Sequence, residues 1–175
     1  SPYLCRLLDI MKQLLILLNV LIISTSVHSQ KKNYRASIIG FYNLENLYDT
    51  IDNPMVDDAE FLPNSARQYN SEIYLDKLER LSDVISQMGT EISPDGLAML
   101  GVAEIENDTV LNDLISTKKL ASRKWKIVHY NSPDRRGVDV ALLYNPKYFT
   151  VLYSRPLFVQ LPGGSKDAFF TRDIL

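Results

Sequence analysis

Three short segments hold the residues that could do chemistry. Phe41-Tyr42-Asn43-Leu44-Glu45-Asn46 closes one apolar run, and Gly101-Val102-Ala103-Glu104-Ile105-Glu106-Asn107 closes another. A carboxylate beside a carboxamide, each just past a buried strand, suits a hard divalent cation such as Mg²⁺, which takes oxygen ligands and keeps several waters. In α/β sheets, ligands gather beyond the strand ends. The third segment, Ser132-Pro133-Asp134-Arg135-Arg136-Gly137-Val138-Asp139, sets two adjacent arginines on a turn. Their planar guanidinium groups can reach phosphate oxygens in pairs, with Asp134 or Asp139 to orient one of them. Arg172, inside an apolar run near residue 175, needs an anionic partner, either a structural carboxylate or a ligand. Each feature also has an ordinary reading: Asn43 as a turn cap, Glu104 as a solvated loop acid, the arginines as a hairpin tip.

The elements that must position these groups follow from periodicity. Residues 36–43 (ASIIGFYN) and 97–103 (LAMLGVA) read as buried strands. Residues 44–70 are polar and rich in Asn, Asp and Pro, a loop long enough to be functional. Ile73, Leu78, Leu81, Val84, Ile85 and Met88 recur at helical spacing, which predicts a helix over 71–88 closed by Gly89. Asp108 is placed to N-cap a short helix carrying Val110, Leu111, Leu114 and Ile115. Residues 126–130 and 138–144 read as strands flanking the SPDRRG turn, and 149–153 and 157–161 as further strands. Strand, helix, strand, helix and then several strands is the order of an α/β mixed sheet with helices packed outside.

The chain has 175 residues, 46% of them hydrophobic, and a formal charge of −2. That is globular composition with enough length for one real core. It carries no electrostatic footprint for nucleic acid, though a metal and local arginines could offset phosphate. Lys12 followed by the apolar run Leu14–Ile23 and by Val27-x-Ser29 reads as a secretory signal peptide over 11–29, with 1–10 an upstream extension. Export would place the protein in the periplasm or outside the cell. Removal of residues 1–29 takes away the only cysteine, Cys5, so no disulfide or thiol chemistry is expected of the rest. His129 is then the one remaining histidine, read as a packed strand residue.

FYNLENLYD, GVAEIEN, SPDRRGVDVALLYNP and FFTRDIL, in this order, resemble the endonuclease/exonuclease/phosphatase superfamily in its exported bacterial branch, over about residues 36–175. The resemblance implies a four-layered α/β sandwich of two mixed sheets, as in pancreatic-type deoxyribonuclease, truncated at the C-terminus. It implies a metal-dependent phosphoesterase acting on a phosphate ester, whether nucleic acid, phospholipid or small molecule. The ion would be Mg²⁺, with Mn²⁺ or Ca²⁺ as alternatives. Glu104 matches the family's metal-binding glutamate, though Ala103 stands where the family has glutamine. Asn43 matches the asparagine that helps place metal and phosphate. Arg136 falls where some deoxyribonucleases carry a phosphate-contacting tyrosine, and Arg172 where the family often has a phosphate-contacting arginine. Glu45, Glu106 and Asp139 lie beside these positions without a matched role. The family's catalytic histidine, its Asp-x-Asn segment and its Asp-His pair are absent from these residues, so an inactive N-terminal half is expected. The competing expectation is an exported, non-catalytic binding protein that retains the fold.

Overall fold

The computed structural model describes residues 2–25 and 36–157. They fall in two units, Ser1–Arg35 and Ala36–Leu175. The first unit holds one helix, α1 (Pro2–Thr25), which runs without interruption through the boundary expected at residue 10. No described helix is long and apolar enough to cross a membrane. The expected cleavage segment around residues 27–30 lies outside the described residues.

The second unit contains β1 (Ile38–Leu47), α2 (Ser71–Gln87), β2 (Leu97–Ile105), α3 (Asp108–Ser116), β3 (Lys126–His129) and β4 (Asp139–Tyr144), with 3₁₀ turns at Ala59–Phe61 and Ala121–Arg123. The strands form one sheet in the order β1-β2-β4-β3. β1 and β2 are parallel and joined through α2, whereas β2–β4 and β4–β3 are antiparallel. Parallel neighbours need such a crossover; antiparallel β3 and β4 need only the Ser132–Gly137 turn. The expected α/β class with a mixed sheet is therefore present. The described residues supply one sheet and one helical layer of the four-layered arrangement.

One face of the sheet carries the core. Leu44, Leu47, Leu100, Val102, Ile105, Ala141 and Leu143 pack with Leu78 and Ile85 of α2 and with Val110, Leu111 and Leu114 of α3. Alternate residues point to the other face. There Phe41, Met99, Val140, Leu142 and Tyr144 line an apolar cleft of about 820 Å³ under residues 149–157.

Both α-helices of the second unit are capped by asparagine. Asn70 Oδ1 accepts from the amides of Glu72 and Ile73 at 3.0 and 3.1 Å. Asn107 Oδ1 accepts from Val110 N at 3.0 Å, so the cap of α3 is Asn107, not the expected Asp108, which becomes the first helical residue. The buried stripe of α2 also differs from the expected one. It runs Tyr74, Leu78, Ser82, Ile85, while Ile73 and Val84 are exposed. Tyr74 belongs inside because its hydroxyl finds a partner, donating to Asp113 Oδ2 at 2.8 Å. Residues 149–153 are not a strand: the chain turns at Asn145, whose Oδ1 accepts from Lys147 N, and then runs irregularly with Leu152 and Tyr153 exposed. Apolar residues of high strand propensity form no strand without a neighbouring edge to bond. Of the expected strand 157–161 only Leu157 is described, as an isolated bridge.

Ile85 is fully buried and Val84 is 45% exposed, although they adjoin in sequence. Ile85→Ala should therefore cost about 2–5 kcal/mol of unfolding free energy. Val84→Ala should change it by less than about 0.5 kcal/mol, because exposed positions contribute little. Urea denaturation of both variants measures the difference.

Candidate functional site

The site is built where the β1–β2 ladder breaks. The two strands stay paired to Asn43 and Ala103, and resume at Leu47 and Ile105. Three residues of β1, Leu44 to Asn46, thus lie opposite Glu104 alone. On its other side β2 bulges at the same residue, since Ala103 pairs with Val140 and Ile105 with Asp139. Glu45, Asn46 and Glu104 all have left-handed backbone, with φ of 52°, 58° and 61°. Non-glycine residues rarely adopt this conformation, and a bulge re-aims the side chain it carries. Asn43 and Glu104 thereby flank one break between adjacent strands, which lie about 4.8 Å apart. Both strands continue to Leu47 and Ile105, so neither residue lies past a strand end, contrary to the expectation from the apolar runs.

Lys77 of α2 holds this break and was not singled out from sequence. Its ammonium donates to Glu45 O at 2.6 Å and to Asn46 O at 2.8 Å, the carbonyls of the two left-handed residues. Burial lowers its pKa from the usual lysine range, opposed by the charges of Glu45 and Glu104. Asn43 contributes a turn of its own: its Oδ1 accepts from Glu45 N at 2.8 Å. The ordinary reading of Asn43 as a turn cap is therefore met, and one lone pair of that oxygen remains for another partner.

Arg136 faces the same end of the sheet. Its guanidinium pairs with Asp134 through Nε–Oδ1 and Nη2–Oδ2 contacts of 3.4 Å, and with the weaker field of Glu104 this keeps it firmly cationic. Asp134, not Asp139, is thus the residue that orients an arginine. The Tyr48 hydroxyl donates to Arg136 O at 2.6 Å, and Asp57 N to Arg135 O at 3.0 Å, which ties the residue 48–70 loop to the turn. Gly137 has φ 69°, and a Cβ there would meet Val56 at 2.8 Å, so loop and turn pack backbone against side chain. Arg135 is more exposed, with only a 3.8 Å contact to Asp57. Arg172 lies outside the described residues.

Glu106 is not the solvated loop acid its position suggests. It is buried, its Oε2 accepts from Asp49 N at 2.8 Å, and its amide donates to Leu47 O at 3.1 Å. Burial pushes its carboxyl up to about 7 against the Asp49 amide bond, and the charges of Asp49 and Asp58 add to the rise. The 48–70 loop closes over it with Phe61 stacked on Tyr48 at 4.1 Å and Tyr69 edge-on to Phe61.

A profile of the endonuclease/exonuclease/phosphatase family matches residues 38–175. The chain belongs to that family. No curated protein and no solved structure matches it. The family's enzymes hydrolyse phosphoester bonds and commonly use divalent metals. No group of three or more His, Cys, Asp or Glu side chains that could hold a metal occurs among the described residues. A single carboxylate that leaves the other positions to water and substrate phosphate is nevertheless a usual Mg²⁺ arrangement, and Glu104 with the free lone pair of Asn43 fits that donor set.

Lys77→Met should loosen the strand break and cost about 1–3 kcal/mol, since two charge-assisted bonds disappear. Glu106→Ala should cost a similar about 1–3 kcal/mol by stranding the Asp49 amide. Urea unfolding reads both; a loss below about 0.5 kcal/mol for Lys77→Met would show that the break holds itself.

Proposed function

We propose that this family member is an exported, Mg²⁺-dependent phosphoesterase whose ion is held by Glu104 beside Asn43 and whose substrate phosphate is met by Arg136. The observation that carries the reading is the double break at Glu104. Left-handed backbone on both neighbouring strands is costly, and such backbone collects at sites where a side chain must be aimed. A bound divalent cation would neutralise phosphate charge there and polarise the ester. Arg136 supplies planar donors for the phosphate oxygens, pre-oriented by Asp134. Lys77 holds the carbonyls that shape the site and adds positive charge beside it. Mn²⁺ or Ca²⁺ are the alternative ions, and the ester is a nucleic acid, a phospholipid or a small molecule. Arg172 is retained as a second phosphate contact on its family match alone.

His129 is not the general base in this reading. Both of its ring nitrogens are engaged by carboxylates and its side chain is only 3% exposed. Export, with a periplasmic or extracellular destination, rests on Lys12 and the apolar run Leu14–Ile23.

In the full-length protein, Glu104→Gln should lower hydrolysis of a phosphodiester at least about 100-fold, because charge neutralisation is worth several kcal/mol and each 1.4 kcal/mol is about tenfold in rate. Excess Mg²⁺ should restore part of it. Asn43→Ala should cost less, since a neutral amide offers one weak ligand or hydrogen bond. Glu91→Gln, an exposed acid in the turn before β2, is the control. Equal losses for Glu104→Gln and Glu91→Gln, or none for either, would refute the metal role. A full-length protein that binds phosphate esters without cleaving them would favour the non-catalytic alternative.

A further inference from the structure

His129 sits at the end of β3 with both ring nitrogens against carboxylate oxygens. Nε2 lies 2.9 Å from Asp139 Oδ2, and Nδ1 lies 2.9 Å from Asp108 Oδ1. A neutral imidazole has one N–H and one lone pair, so it can donate to only one of these. The other nitrogen would then face an anionic oxygen lone pair to lone pair. Only the imidazolium satisfies both. The two carboxylates are not equivalent: the Asp139 side chain is 4% exposed and that of Asp108 is 68% exposed. The bond to Asp139 is therefore the dry, strong arm, and Asp108 the wet one.

Asp139 connects this charge to the site. Its second oxygen, Oδ1, accepts from Ser132 N at 2.8 Å, the first amide of the turn that carries Arg136. Asp108 connects it to α3, where a carboxylate in the first turn is already favoured by the helix dipole. Tyr48 and Asp57 pin the far end of the turn, while Asp139 pins its base.

We propose that His129, as an imidazolium shared between Asp139 and Asp108, is a positioning residue that latches the base of the Ser132–Gly137 turn to the start of α3 and so fixes where Arg136 stands. The consequence for Arg136 rests on its reading as a phosphate contact; the latch itself does not. The groups facing His129 are Asp139 from β4 and Asp108 from α3. Burial alone would lower the histidine's pKa; the bond and charge of Asp139, then the charge and bond of Asp108, outweigh it and raise the pKa above 6.5. Because the folded state favours the cation, the latch is complete below about pH 6.5, the value of a free histidine. It is lost as pH rises through the higher folded-state value. Loss of the proton leaves the ring one N–H, which stays with the buried Asp139, so the Asp108 arm to α3 opens. Asp139 is then a buried anion without its counter-charge, a cost that is relieved when the base of the turn opens to water.

The chain has two histidines, so imidazole ¹⁵N resonances of the full chain resolve His129 once His28 is assigned with a His28→Gln variant. The expected spectrum at pH 6 is an imidazolium with both nitrogens protonated. Amide protection of Ser132 should fall in step with His129 deprotonation, and sulfate, a dianion throughout this range, should bind about tenfold more weakly above that midpoint. Asp139→Asn should bring the His129 midpoint below that of Asp108→Asn, since the buried arm is the stronger. His129→Gln should abolish the pH dependence of Ser132 protection, and the wild-type titration alone decides the matter if that variant does not fold. A neutral His129 at pH 6, or Ser132 protection that ignores its midpoint, would overturn the latch. A turn that follows His129 while sulfate binds at no pH would uphold the latch and remove Arg136 as the phosphate contact.

Discussion

Leu47 and Ile105 form a pair that is entirely buried, and the candidate site exists because they must meet. From Ile38 to Asn43 the parallel ladder of β1 and β2 is regular apart from one slip after Ile38. Beyond it, reaching the next core pair takes four steps along β1 but only two along β2. The excess backbone of β1 cannot be absorbed by extended conformation, so it is taken up in left-handed residues at Glu45 and Asn46, while left-handed Glu104 takes up the one residue by which β2 exceeds β4. Such residues cost of order 1–3 kcal/mol each, which the burial of Leu44, Leu47 and Ile105 on the helix-covered face can offset. The apolar core thus drives the strain, and the strain aims Glu104.

Charge is arranged around that break in layers. Lys77 approaches from α2 and donates to the carbonyls of the strained segment. Arg136 approaches from the β3–β4 turn, held by Asp134. Behind them, Glu106 is buried under the Tyr48–Phe61–Tyr69 cluster with its carboxyl near 7, so at neutral pH it is only partly ionised and adds less negative charge than its residue type implies. The 48–70 loop, polar in sequence, is ordered by these aromatic contacts and by bonds to the turn. Its buried Asp58 accepts from Asn53 N at 2.9 Å, which lets a polar stretch pack without stranding its amides.

Pattern in the sequence was enough to place β1, α2, β2, α3, β3 and β4 within a few residues, because the helices carry a 3.6-residue apolar period and the strands are short apolar runs bounded by polar or turn residues. Order and motif chemistry likewise drew attention to Asn43, Glu104 and Arg136, but the strands run on to Leu47 and Ile105, so Asn43 and Glu104 flank a break inside the sheet and do not lie past strand ends. Apolar count misled where burial depended on a partner. Tyr74 displaced Ile73 on the buried stripe of α2 because Asp113 takes its hydroxyl, and residues 149–153 remained irregular for want of a strand to pair with. What only the tertiary structure decided were the contacts between segments remote in sequence: Lys77 on Glu45 and Asn46, Glu106 on Asp49, His129 between Asp108 and Asp139. A side chain's local pattern states whether it prefers water or the core. It does not state which charge, amide or ring will stand beside it, and that pairing fixes whether a buried ionisable group is a cost, a clamp or part of a site.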